Sequence, residues 1–361
     1  MASSYYKIVL IGVLCFLSFQ SLKAQHKLQK EIRKTYAFSD TNKLYLENSY
    51  GNIFLTGWDK NKIEIVVHIE AEGRNKDKAQ KLLDRVTTDI TNNDAEVKII
   101  SQIEKKKGGL LGRYIGKIGV FKNEKATINY TIYLPKKTLV EAYNKYGDIT
   151  ISDWQGTLKT AIEHGNLRIS SAVRNAEISV KHAKLNAVDL HTSTVIANDG
   201  TLEIHNAKNL KIDSGGSEMT LNNIQNLQLN SNKDKIDIIN VHGISGTLKY
   251  SKTVFKKVGG KVKLTLDNGE IRILKHLENT PDFIIDQKES EVYINISETQ
   301  FNFNAKLEQG VLRIPKTMQN IDSEIINRKD KIRRITASYG SEPKGTITCI
   351  GYKGVIILKE L

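Results

Sequence analysis

Apolar residues fall at alternate positions along much of the chain. Ile53/Leu55, Ile63/Ile65/Val67, Val97/Ile99 and Ile128/Tyr130/Ile132/Leu134 all keep a two-residue period. That period turns one face of a strand to a core and the other to water. One segment departs from it. Asn75 to Asn92 places Ala79, Leu82, Leu83, Val86 and Ile90 three and four residues apart for the most part, after Gly73 and before Asn92-Asn93. This spacing predicts one amphipathic helix of about four turns over 75–92.

From about Leu139 the pattern repeats. The phrase glycine-polar-apolar-polar-apolar occurs at Gly147-Asp148-Ile149-Thr150-Ile151, Gly165-Asn166-Leu167-Arg168-Ile169 and Gly200-Thr201-Leu202-Glu203-Ile204. Weaker copies start at Ser217, Asp234 and Gly269. A second series of strands runs between them, at Ile178/Val180, Leu210/Ile212, Leu227/Leu229, Leu248/Tyr250 and Val262/Leu264. Each unit of about 17–18 residues thus holds two short strands and two turns. Such a unit cannot bury its apolar face alone, whereas stacked copies can. Asn is dense here, at Asn206, Asn209, Asn222, Asn223, Asn226, Asn230 and Asn240 among others. Stacked turns can use it in side-chain ladders, with no ligand required.

The fold class expected is therefore all-β, a β-solenoid-like stack of two-strand coils with one helix in the N-terminal portion. The organisation expected is a signal peptide over 1–24, a β-rich segment over 25–138, a repeat solenoid over 139–298 and capping strands over 299–361. A longer echo links two of these parts. Tyr50-Gly51-Asn52-Ile53-Phe54-Leu55-Thr56-Gly57-Trp58 matches Tyr146-Gly147-Asp148-Ile149-Thr150-Ile151-Ser152-Asp153-Trp154 further along the chain. Trp58 and Trp154 are expected to cap a core layer, and are also candidates for stacking on a sugar.

The N-terminus sets the compartment. Lys7 precedes an apolar run from Ile8 to Phe19, and Ala24 offers a small residue at a cleavage point. That layout is a secretory signal peptide, and the run is short for a membrane span. An uncleaved anchor is the alternative. Cleavage removes Lys7 and Lys23, so the formal charge falls from +14 to +12. It also removes Cys15 and leaves Cys349 as the single cysteine, on a strand-like stretch, where a buried small hydrophobe is the expected role. Four prolines exclude a collagen-like or proline-rich chain, and two cysteines exclude a disulfide scaffold or a cysteine-based zinc array.

The phrases YGNI and YGDI, the stretch IYLPKKTLVEAYNKYGDITI and the GNLRI-like units resemble the bacterial putative-adhesin β-repeat family. The resemblance covers roughly Leu44 to Ile296 and is firmest from Ile128 to Ile273. It implies an exported protein with a β-solenoid-like stack. It carries over no catalytic residues. The chain departs from that pattern in a basic glycine-rich insert and in the segment after Thr299.

Reactive constellations are scarce. There is no phosphate-binding loop, no HExxH and no serine-nucleophile elbow. His164 and His182 lie one repeat apart, but the next register is Gly200, so no metal or other cofactor is expected. Asp148, Glu203, Glu218, Asp237 and Glu270 alternate with Asn166 and Lys184 rather than clustering. Lys105, Lys106, Lys107, Arg113 and Lys117 interleave with Leu110, Leu111, Tyr114 and Ile115. That mixture suits an anionic lipid, lipopolysaccharide or polysaccharide surface. Export disfavours nucleic acid as a partner, and no protein partner can be read from the sequence. The function expected is a non-catalytic cell-envelope protein, in the periplasm or on the outer surface of a bacterium, with an adhesin-like repetitive β surface for binding or scaffolding. A β-helix polysaccharide lyase and an envelope sensor paired with a membrane protein are the alternatives.

Overall fold

A computed structural model describes residues 26–104 and 124–361. The signal-peptide segment and most of the basic insert lie outside them. The described chain is all-β, one long hydrogen-bonded sheet wound into a stack and not closed as a barrel. Lys184–Asn198, Thr201–Gly215, Glu218–Asn232 and Lys235–Lys249 lie parallel on one another. Their register, Lys184↔Thr201↔Glu218↔Lys235, advances by one repeat unit per rung. Leu185 and Ala187, Leu202 and Ile204, Met219 and Leu221, Ile236 and Ile238 point inward and are buried. Each large side chain so buried contributes roughly 1.5–3 kcal/mol.

Two kinds of corner bend these rungs. At one, a residue with left-handed backbone closes each turn, as at His182, Asp199, Gly216, Lys233 and Tyr250. Its N–H donates to a carbonyl of the next rung, Asp199 to Gly215 and Gly216 to Asn232 for example. The other corner is gentler than expected. In the central rungs it interrupts pairing for single residues only, between Leu190 and Thr192, so each coil is one bent strand rather than two. Asparagine amides hold this corner in step. Asn223 donates to Asn206 at 3.2 Å, Asn240 to Asn223 at 2.8 Å and Asn226 to Asn209 at 3.0 Å. Further on, the corner opens and Lys252–Val258 and Lys261–Asp267 are separate strands.

Both ends depart from chain order. Lys43–Ser49 and Ile53–Trp58 lie in parallel register beneath Leu139–Lys145 and Ile149–Ser152. Glu96–Ile103 and Lys125–Pro135 form the rung below. The stack is thus continuous across residue 138. Antiparallel strands close this end: Val86–Asn92 on one half, Lys62–Gly73 and then His26–Ala37 on the other. Helix α1 spans Lys76–Leu83 and buries Ala79 and Leu82. The Asn75 side chain caps it by accepting from the Lys78 N–H at 2.9 Å.

The helix is shorter than the 75–92 expected. Val86-Thr87-Thr88-Asp89-Ile90-Thr91 is rich in β-branched residues and pairs with Glu96–Ile103. Val86 and Ile90 fit a two-residue period as well as a helical one, and the waiting edge decided between them.

The C-terminal segment also differs. Gly345–Tyr352 is sandwiched between Asp282–Lys288 and Phe301–Glu308, and Val355–Lys359 between Glu291–Asn295 and Val311–Arg313. Residues 345–359 are therefore an internal rung and not a cap. Ile347, Cys349, Ile356 and Leu358 are buried, and only an internal place covers them. Ile332–Tyr339 and Gln319–Asn327, both antiparallel, finish that end.

Candidate ligand groove

Where each rung bends, two outward rows flank one inward row. The outer row on one side is Glu141, Lys159, Glu177, Thr194, Lys211, Gln228, Ser245 and Lys263, each paired in register with the next. On the other side run Thr157, Asn175, Thr192, Asn209, Asn226 and Gly243. At about 4.8 Å per rung, seven steps of the first row span about 34 Å. Between the rows lie two depressions of about 510 and 330 Å³, which share Thr192, Ser193 and Thr194. They form one groove running across the strands.

Between the walls runs the inward row Leu158, Ala176, Ser193, Leu210, Leu227 and Ile244, whose side chains turn to the core. Ser193 is the polar member of that row. It is 5% exposed, and among the described residues its Oγ has no hydrogen-bond partner. A buried hydroxyl without a partner is uncommon and calls for a physical reason. The charges along the groove are uneven. The larger depression is lined by Lys211, Lys261 and Lys263 and by no carboxylate; the smaller one by Glu141, Lys159 and Glu177. Lys159 pairs with Glu177 at 3.6 Å, Lys211 with Asp213 at 3.6 Å and Lys261 with Asp282 at 3.7 Å. Among the described residues Lys263 has no carboxylate partner.

Trp58 and Trp154, singled out from sequence, line neither depression. Trp154 is 1% exposed, with its indole N–H on Thr138 Oγ1 at 3.2 Å. It is a core residue with no free face for a sugar. Trp58 stacks on Tyr133 at 5.4 Å and donates to the Lys62 carbonyl at 2.8 Å. The ammonium groups of Lys60 and Lys62 sit 4.7 and 5.3 Å from its ring centre. Trp58 thus already has ring and ammonium partners within the chain. Lys105, Lys106, Lys107, Arg113 and Lys117 lie outside the described residues. Cys349 is fully buried, and burial pushes its thiol up to about 12.

His164 and His182 do stack, at 5.2 Å, as the end of a column that begins with Tyr50 and Tyr146. Ring faces inside that column meet each other. Beside it Glu163 bridges Lys145 at 2.9 Å and Lys181 at 3.0 Å, and these two ammonium groups hold its carboxyl at about 2. Among the described residues no group of three His, Cys, Asp or Glu is placed to hold a metal ion. No helix among them is long and apolar enough to cross a membrane.

Sequence reasoning misses the groove itself. Its signal is present, since Thr192, Asn209 and Asn226 recur once per repeat. Asparagine at that spacing also suits a purely structural ladder, and Asn209 and Asn226 serve as both ladder and wall.

No family model and no curated protein matches the chain. Among solved structures it is similar to a "putative adhesin" from Parabacteroides distasonis, at 10% identity and a TM-score of 0.32, covering 91% of this chain and 97% of that one. It is also similar to a "putative lipid binding protein" from the same organism, at 12% identity and a TM-score of 0.29, covering 92% and 97%. A "putative cell adhesion protein" from Clostridium sporogenes matches at 12% identity and a TM-score of 0.19, covering 92% and 100%. Superpositions this loose carry no functional argument. The fold stands on its own strand registers.

Proposed function

We propose that the chain is a non-catalytic, exported protein of the bacterial cell envelope, whose repetitive β surface binds or scaffolds an extended partner. One observation carries the reading. Hydroxyl, amide and ammonium side chains line a groove in register across successive rungs, so an extended molecule meets similar groups at each step. The N-terminal pattern of Lys7, an apolar run and Ala24 supports export, to the periplasm or the outer surface.

The test is capture of envelope components and glycans by the mature chain, compared with Thr194→Trp, which fills the groove where its two depressions meet. Capture by the native chain and its loss in the variant are expected. Equal capture by both overturns the groove as the binding surface. For the basic insert, anionic liposomes should sediment with the mature protein and less so with a deletion of residues 105–122. Equal binding discards a membrane role for that insert.

A lyase reading needs a base and carboxylates converging in the groove. Glu141, Lys159 and Glu177 are the groups at hand, and Lys159 is ion-paired. Incubation with polygalacturonate is expected to release no unsaturated uronate ends, and their appearance would establish the enzyme instead.

A further inference from the structure

Resting on the binding reading above, we infer that the groove accepts a linear anionic glycan lying along the stack axis, its acidic units over the half that carries Lys211, Lys261 and Lys263.

Spacing decides against a peptide. The walls repeat every ~4.8 Å, whereas an extended peptide rises only about 3.3 Å per residue and presents alternate side chains to a surface. One pyranose unit is comparable in length to one rung, so successive sugars meet successive rungs. Stacked bases are also disfavoured, because among the described residues no aromatic ring lines either depression.

Chemistry points the same way. Thr192, Thr194, Asn209, Asn226, Gln228 and Ser245 supply donors and acceptors on both walls. The side chains of Leu210, Leu227 and Ile244 turn to the core, so between the walls a sugar ring lies over the backbone of that row.

Charge selects the acidic members of this class. The larger depression is lined by three ammonium groups and no carboxylate. Lys211 and Lys261 keep contacts of 3.6 and 3.7 Å with Asp213 and Asp282, and among the described residues Lys263 keeps none. A carboxylate or sulfate on the glycan gains an ion pair there without leaving a protein carboxylate unpaired. At the other end Glu141 and Glu177 repel an anion, which fixes the direction in which a partly acidic chain lies.

The experiment titrates the mature protein with four probes: an oligogalacturonate long enough to span the rows, a neutral cello-oligosaccharide of equal length, poly-glutamate, and anionic lipid vesicles. The oligogalacturonate should bind best, and the complex should weaken as salt rises. Lys211→Glu with Lys263→Glu should weaken it at least about tenfold, with circular dichroism and melting unchanged. Both lysines are solvent-facing, so these variants do not test the core. Poly-glutamate binding as tightly would overturn the glycan class in favour of bare polyanion attraction. Binding to vesicles alone would overturn it in favour of lipid. If Thr194→Trp abolishes envelope capture yet no anionic glycan binds, the class fails and the groove reading stands. If Thr194→Trp changes nothing, both fail.

Discussion

Tyr50 and Tyr146 stack face to face, ring centres 5.1 Å apart and planes within 10°, although they lie far apart in the chain. Both hold left-handed backbone, at φ of 62° and 58°. Bulky residues avoid that region unless the surroundings enforce it. Here the enforcement is the rung itself. Tyr50 N–H donates to the Lys145 carbonyl at 2.8 Å, and Tyr146 N–H to Glu163 at 2.9 Å. The echo that contains these tyrosines is thus the imprint of two adjacent rungs.

Gly147, next to Tyr146, cannot carry a side chain. A Cβ there would overlap the Gly51 carbonyl oxygen and lie 2.6 Å from its carbon, both backbone atoms of the rung below. Gly147→Ala should lower stability by about 1–3 kcal/mol, the range for overpacking, read as a fall in the denaturant midpoint. Gly215→Ala is the control. Its nearest neighbour would be 3.8 Å away, so its stability should stay within about 1 kcal/mol of the native chain.

Asp234 is the acceptor of a buried cluster. It takes hydrogen bonds from Ser214 Oγ at 2.5 Å, Ser231 Oγ at 2.6 Å, the Ser217 N–H at 2.7 Å and the Asn232 N–H at 3.2 Å. Asp234→Ala leaves these donors unmatched in a buried site and should cost about 3 kcal/mol. Asp234→Asn keeps an acceptor oxygen and should cost about 1 kcal/mol. Equal thermal midpoints for the two variants would contradict this account.

Glu163 links stability to acid. Hydrogen bonds from Lys145 and Lys181 lower its carboxyl from 4.5 to about 2. A depressed carboxylate stabilises the fold above its unfolded value, and that contribution fades as pH falls through the folded one. Glu163→Gln should therefore be less stable than the native chain at neutral pH, by no more than about 1 kcal/mol because the pairs reach solvent. The difference should close between about pH 4.5 and 2. Melting curves of both proteins across that interval check it.

Cys349 should resist alkylation in the folded protein at mildly alkaline pH. Its thiol is buried and raised to about 12, with its strand inserted between Ile285 and Ala305. Iodoacetamide labelling followed by mass spectrometry should show modification only after denaturant is added. Rapid labelling of the native protein would mean that 345–359 opens readily and is not a true internal rung.

The local half of this protein is written in its residues. Alternation such as Leu202/Ile204 marks a pleated strand with one buried face, and the constant repeat spacing marks where the next copy lies. Turn positions at Gly147, Gly165 and Gly200 are legible as well, since the glycine recurs at the repeat spacing.

Which edge each strand meets is settled by packing alone. Hydrogen-bonding edges are alike in every rung, so nothing local says that Gly345–Tyr352 enters between Asp282–Lys288 and Phe301–Glu308, or that Val86–Asn92 leaves the helix for a sheet edge. Burial of Trp154 belongs to that level too, and so does the groove. Its walls are residues one repeat apart that become neighbours only when rungs stack.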